Sequence, residues 1–272
     1  PETDRLQVRF GDLDRREQGT VLELDPLDDR EEFNSFWRFV EGFEHHDYSL
    51  SDVRDAISHD YSVSARQIGL RIENLGIADW DVWNSPSEPS VIDRLDSDDW
   101  RCITADIGTY GRVEEKLVIA NAILGYFWRN RNQRKPVLVV IDEAHNICPQ
   151  EPASELERIA TDYVIRIAGE GRKFGIYLLL ASQRPDKIHS NVLSQCDNLI
   201  LMRMNSKSDL DHLASIMSQV PTSLLDQATH FSLGESLLAG KIVQNPTFTK
   251  FGGRFTEEGG SDVPASWMAS GA

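Results

Sequence analysis

The sequence predicts an α/β fold, a parallel sheet flanked by helices and preceded by a mostly helical stretch. Three observations carry this expectation. About the first hundred of the 272 residues space their apolar side chains at helical intervals. From about residue 100 short apolar runs alternate with helical patterns, the rhythm of strand–helix–strand units in a parallel sheet. One such run, Pro136 to Ile141, leads directly into Asp142 and Glu143, and open α/β sheets bind their ligands at strand carboxyl ends.

Phe33, Phe36, Trp37 and Val40 follow the i, i+3, i+4, i+7 pattern of one helix face. Ala65, Ile68, Ile72 and Leu75 repeat it after Ser62 or Ser64, either of which can cap the helix start. The polar, proline-broken stretch from Asn84 to Ser90 reads as a loop or boundary. Cys102 to Ile107, ending at Gly108, reads as a short strand, and residues 112–130 as a helix with Val113, Leu117, Leu124 and Trp128 on one side. The run ending at Ile141 is apolar and mostly β-branched, which predicts a central strand buried on both faces. A helix with Leu156, Ile159, Ala160, Tyr163 and Ile167 follows, stopped by Gly169 and Gly171. Ile176–Ala181, Leu199–Met202 and Leu237–Val243 are the remaining strands, and Thr256–Ala272, rich in Gly, Ser and Ala, reads as a loose tail. The expected organisation is therefore a helical region over 1–97, an α/β core over 98–245 and a tail over 246–272, without internal repeats.

Composition narrows the class. Hydrophobic residues make up 40% and charged residues 26%, a globular balance. No apolar run approaches the roughly 20 residues that span a bilayer, which removes a membrane partner from the expectations. Cys102, Cys148 and Cys196 are widely spaced and odd in number, which argues against a disulfide framework or a zinc site and for a cytoplasmic protein. The net charge of −16, with cations that are mostly arginine, suggests a high-salt cytoplasm and argues against a broad basic face for nucleic acid. Any DNA contact would come from local cations in an assembled pore. The chain opens on Pro1-Glu2-Thr3-Asp4, with neither an initiator Met nor a signal-peptide pattern, and reads as the middle of a longer one.

The chemistry concentrates at Asp142-Glu143-Ala144-His145. Adjacent carboxylates after a buried strand form a Walker B motif: the first holds the Mg²⁺ of a bound nucleotide, usually through water, and the second polarises the attacking water. The partner motif, G-x-x-x-x-G-K-[ST], occurs nowhere in the chain. The same four letters mark superfamily-2 helicases, but those need a second RecA-like domain with an arginine-rich motif. H-E-x-x-H is absent, so a zincin is not supported. Gln183, at the tip of the next strand, can contact both a γ-phosphate and the attacking water. Arg172 leaves a glycine-rich helix exit, where it either caps the helix C-terminus or reaches into a neighbouring subunit's site as an arginine finger. Glu170 can pair with Arg172, and His145 is a switch-like or structural neighbour. Asp106 is either an ordinary turn residue or a more distant member of the site. Lys187, His189 and Asn191 either line a channel or are solvated loop residues, and His45 and His46 read as surface residues.

The segments VLVVIDEAH (137–145), GEGRKFGIYLLLASQRP (169–185), VLSQCDNLILMRMNSKSD (192–209) and LGESLLAG (233–240) resemble the HerA–FtsK family of hexameric DNA-pumping ATPases, in its HerA-like branch. The resemblance covers about residues 100 to 245, in the family's order. It implies a RecA-like P-loop NTPase core in a homo-oligomeric ring, Mg²⁺ and ATP at subunit interfaces, and duplex DNA in the channel. A nuclease partner, in DNA repair or phage defence, goes with it. It further implies Asp142 and Glu143 as Walker B residues, Gln183 as sensor and Arg172 as a trans-acting arginine. The helical first hundred residues would be the insertion that follows the P-loop, which places the Walker A loop upstream of Pro1. Without that loop the phosphates lack their backbone cradle, so the chain alone is expected to be inactive. The alternative is a non-catalytic RecA-like scaffold or ring subunit that has lost nucleotide binding.

Overall fold

In a computed structural model the protein is described over residues 5–43, 48–85, 88–97, 99–218, 220–253 and 255. His45, His46 and the Thr256–Ala272 tail lie outside the described residues. Two compact units divide the chain, Pro1–Cys196 and Asp197–Ala272.

The first unit begins with short helices: α1 (Arg15–Val21), α2 (Arg30–Val40), α3 (Leu50–Ser58), α4 (Val63–Leu75) and α5 (Val91–Asp96). Capping explains several of their starts, because the first free backbone N–H groups of a helix need acceptors. Asp14 accepts from Glu17 N, Ser49 from Asp52 N, Ser62 from Ala65 N and Ser90 from Ile92 N and Asp93 N. α4 ends at Gly76, whose φ of +62° suits a residue without a Cβ. The predicted face of α2 splits, with Phe36 and Trp37 buried while Phe33 and Val40 are only half-buried, and α4 buries Ala65, Ile68 and Ile72.

Two long helices follow, α6 (Val113–Arg129) and α7 (Glu155–Glu170), packed on each other. α6 is buried around much of its circumference, including Val118, Ile119 and Ala122, while its first residue, Val113, is exposed. Strands β1 (Val137–Ile141) and β2 (Ile176–Leu180) pair in parallel with Val137 opposite Ile176 and Ile141 opposite Leu180. α7 packs on β2 and runs through Gly169 to Glu170. The chain then reverses in a 3₁₀ turn over Gly171–Phe174, closed by Gly175 at φ +85°. A short helix, α8 (Ser190–Leu193), completes the unit.

Two expectations fail here. Cys102–Ile107 forms no strand: the Asp106 side chain accepts from Gly108 N at 2.9 Å and nucleates a 3₁₀ turn over Ile107–Thr109, a local bond that competes with a sheet ladder. Nor is β1 buried on both faces. Leu138 and Val140 are 56% and 58% exposed, and their register partners Tyr177 and Leu179 are 52% and 44% exposed. Among the described residues helices cover one face of this pair and leave an apolar stripe on the other.

The second unit holds β3 (Asn198–Leu201), α9 (Lys207–Ile216), α10 (Thr222–Leu225), β4 (Glu235–Gly240) and β5 (Thr247–Lys250). Its strands run antiparallel in the order β3–β4–β5, where the sequence predicts a continuation of the parallel sheet. β4 and β5 are joined by a short loop over 241–246, and a connection of that length can only reverse direction, because parallel neighbours need a long crossover.

Candidate active site

The parallel ladder continues one step past the strands: Ala181 N donates to Ile141 O and Ala144 N to Ala181 O, each at 2.9 Å. This keeps the carboxyl ends of β1 and β2 level, and the side chains just beyond them meet. Gln183 Nε2 donates to Glu143 Oε1 at 3.1 Å. Asp142 is exposed beside them, and its Oδ1 accepts from Glu143 N at 2.9 Å.

Glu143 has a left-handed backbone, φ +46° and ψ +49°, which opens the 3₁₀ turn over Ala144–Asn146. A non-glycine residue in that region costs on the order of 1–3 kcal/mol. Glu23 and Arg134 also have positive φ, but both sit at helical exits, where such turns are routine. Glu143 is different because the strain falls on a carboxylate-bearing residue at a strand tip.

His145 turns back toward the same point. Its Nδ1 lies 3.0 Å from Ser182 Oγ and 3.4 Å from Glu143 Oε2. Ser182 Oγ in turn accepts from Arg184 N at 3.0 Å. Glu143 Oε2 is buried and has no hydrogen-bond donor of its own, so the His145 contact is electrostatic. Ser182 is the residue that sequence reasoning missed; its place beside Gln183 at a strand tip was the available signal. Cys148 is not reactive chemistry: burial pushes its thiol up to about 12.

The loops that follow the two strands are laced together. Gln150 N donates to Lys187 O at 2.7 Å, His189 N to Cys148 O at 2.9 Å, and Ser190 N to Gln150 Oε1 at 2.8 Å. Lys187 and Asn191 are exposed on this lacing.

Arg172 is not part of the cluster. It precedes β2, whereas Gln183 follows it, so a five-residue strand separates them, roughly 17 Å at strand rise. Its turn is held by Phe174, which packs edge-on to Trp128, with the Arg131 guanidinium 4.6 Å from the Trp128 ring centroid and 5.5 Å from that of Phe174. Arg172 is exposed. Lys173 pairs with Glu170 at 3.9 Å. Asp106 serves its own turn, as above.

The donor set suits a hard cation held partly by water. Asp142 offers an accessible carboxylate, and among the described residues no group of three or more His, Cys, Asp or Glu forms a protein-only metal site. Mg²⁺ is bound in that incomplete way, through one or two carboxylates, waters and phosphate oxygens. The residues present do not supply a phosphate cradle.

A parallel β1–β2 edge with flanking helices and a helical N-terminal region is an α/β core of RecA-like fold. In keeping with this, the solved VirB4 structure of Thermoanaerobacter pseudethanolicus aligns with 92% of the chain and 73% of its own at a TM-score of 0.57, with 11% identity, a likeness of fold alone. No established family profile matches the chain. Half of the chain is similar to named helicases. A probable helicase of Methanocaldococcus jannaschii is 36% identical over 138 residues, 50% of this chain and 26% of the relative. The DNA double-strand break repair helicase HerA of Pyrococcus furiosus is 34% identical over 115 residues, 42% of this chain and 20% of the relative. The HerA of Saccharolobus solfataricus is 34% identical over 123 residues, 45% of this chain and 24% of the relative. About half of the chain is thus similar to HerA-like helicases, and the matched stretch spans about a quarter of the length of these curated relatives.

Proposed function

We propose that this chain is the Walker B segment of an ATP-driven DNA translocase of HerA type. The observation that carries the reading is the hydrogen bond of Gln183 to Glu143 beside an exposed Asp142, at the carboxyl edge of a parallel strand pair. In this arrangement Asp142 would hold Mg²⁺ through its water shell, and the metal would neutralise charge on the nucleotide's phosphates. Glu143 orients the attacking water. Gln183, bonded to that carboxylate, would also contact the γ-phosphate, so the loop beyond β2 would follow the state of the nucleotide. Through the lacing of 148–150 to 187–190, the same change reaches Lys187 and Asn191 on the surface, where duplex DNA would be contacted. Arg172, at the far end of β2, acts on a neighbouring subunit's nucleotide in a homo-oligomeric ring; a cytoplasmic site and a nuclease partner belong to the same reading.

The phosphate cradle comes from a P-loop elsewhere in the longer polypeptide, and the open apolar stripe of Leu138, Val140, Tyr177 and Leu179 supports this, since parallel sheets are covered on both faces. The 272 residues alone are expected to show no ATP turnover; turnover that Glu143→Gln abolishes would refute their inactivity. In the longest natural chain that contains this segment, DNA-stimulated turnover should fall steeply when Arg172→Ala subunits are mixed into wild-type rings, since such arginines contribute about 10³–10⁵-fold. Mixed rings that keep full activity would remove Arg172 from the mechanism.

A further inference from the structure

We infer that His145 and Ser182 form a positioning pair that sets how firmly the Glu143 carboxylate is held. This rests on the ATPase reading above and names the regulation of that same site.

The argument starts from a shortage of donors. Glu143 Oε1 accepts from Gln183, while Oε2 is buried and without a hydrogen bond, an arrangement that is costly for a carboxylate oxygen. The group facing Oε2 is His145 Nδ1, at 3.4 Å. The carboxylate therefore favours the imidazole tautomer that carries its proton on Nδ1. That same N–H has a nearer acceptor, Ser182 Oγ at 3.0 Å. One proton is thus shared between a serine oxygen on the β2 side and the water-activating carboxylate on the β1 side.

Ser182 is itself fixed by the Arg184 N–H, at the entrance to the loop that is laced to residues 148–150. While Ser182 stays in place, its oxygen draws the imidazole N–H and leaves Glu143 Oε2 in a weak contact only. When the loop carries Ser182 away, the N–H turns wholly to Oε2, and an oxygen occupied by a strong donor is a poorer acceptor for a water proton. The backbone strain at Glu143 adds to this, because the left-handed turn brings residue 145 back over residue 143. Ser182 thereby competes with Glu143 for His145, and a loop movement becomes a change in the strength of the base.

Two measurements test the pair. The first is nitrogen-detected NMR of the imidazole in the 272-residue chain, which reads the tautomer without any turnover. An Nδ1–H tautomer in the wild type supports the pair, and an Nε2–H tautomer overturns it. The second is steady-state ATP turnover in the longest natural chain that contains the segment. Ser182→Ala should lower kcat by about tenfold with KM unchanged, a part of the roughly 10²–10⁴-fold that an oriented base contributes. Adding His145→Ala should then recover most of that loss, and His145→Asn, whose amide nitrogen takes the place of Nδ1, should preserve wild-type kcat. Losses that simply multiply in the double variant, or an unchanged kcat in Ser182→Ala, would overturn the proposal. Should Glu143→Gln keep its turnover, the ATPase reading falls instead, and the tautomer alone then decides the pair.

Discussion

Two glutamates, Glu143 and Glu17, both sit among oxygen and nitrogen partners at helical or strand ends, and they do opposite work. Glu143 lies at an open strand edge on strained backbone, with an exposed carboxylate beside it. Glu17 is fully buried on regular helix at the junction of α1, α6 and α7. Its Oε2 accepts from Asp14 N at 2.5 Å and faces Arg129 Nη1 at 3.4 Å, and Tyr163 donates to Asp14 Oδ2 at 2.8 Å. Arg16 of α1 adds bridges to Glu155 and Asp162 of α7. Burial, with the Asp14 charge adding to it, pushes the Glu17 carboxyl up to about 7. The contrast teaches that a perturbed carboxyl need not mark a site: at Glu17 the perturbation belongs to a structural joint, whereas the proposed role of Glu143 rests on access and backbone geometry.

The sharpest way to break this contrast is to neutralise each glutamate in turn. Glu143→Gln in the longest natural chain should cut ATP turnover by about 10²–10⁴-fold while leaving the unfolding transition in place. A variant that hydrolyses ATP normally would strip Glu143 of its role. Glu17→Gln should do the reverse, leaving turnover unchanged and altering stability. The folded pKa of about 7 is raised from 4.5, so the neutral carboxyl stabilises the fold below about pH 4.5 and that contribution is lost as pH rises through 7. Urea unfolding above pH 7 should therefore show the glutamine variant more stable by up to ~3 kcal/mol, with a flatter slope between pH 5 and 7. An unaltered slope would mean that Glu17 is ionised in the fold without penalty.

A smaller effect is expected at Gly125 of α6, which leaves room for the joint. A Cβ there would lie 2.6 Å from Arg129 Nη1 and 3.1 Å from both Glu17 Oε1 and the Tyr163 hydroxyl. Gly125→Ala should cost ~1–3 kcal/mol through overpacking, despite alanine's better helix propensity. A stabilised variant in thermal melts would show the joint to be loose. Tyr163→Phe is the mildest test: losing the bond to Asp14 should cost ~1 kcal/mol, and a change in ATP turnover would mean that the joint communicates with the edge.

Much of the candidate site's edge was legible in the sequence, because its parts are local. The apolar runs of β1 and β2, the acidic pair after the first and Gln183 after the second are each read within a few residues. Helix starts were legible for the same reason, as at Ser62, where cap and apolar face adjoin. What stayed hidden depends on distant partners. Cys102–Ile107 has the composition of a strand but pairs with no strand among the described residues, and Asp106 diverts it into a turn. The open face of β1 cannot be read from a run of valines, which looks the same whichever face is covered. The Glu17 joint assembles residues 14, 17, 129 and 163, and its only local trace is Asp14-Arg15-Arg16-Glu17, where the two carboxylates exchange backbone bonds as a capping box. The antiparallel second unit was masked by apolar runs that fit either strand direction.

The left-handed backbone at Glu143 has a consequence for how such a chain can change over time. Glycine or asparagine adopts that conformation at lower cost, so either one relieves ~1–3 kcal/mol of strain while discarding the carboxylate. A screen for heat resistance that ignores hydrolysis should enrich Glu143→Gly and Glu143→Asn, and a screen for hydrolysis should remove both. Robustness and activity pull this one codon in opposite directions.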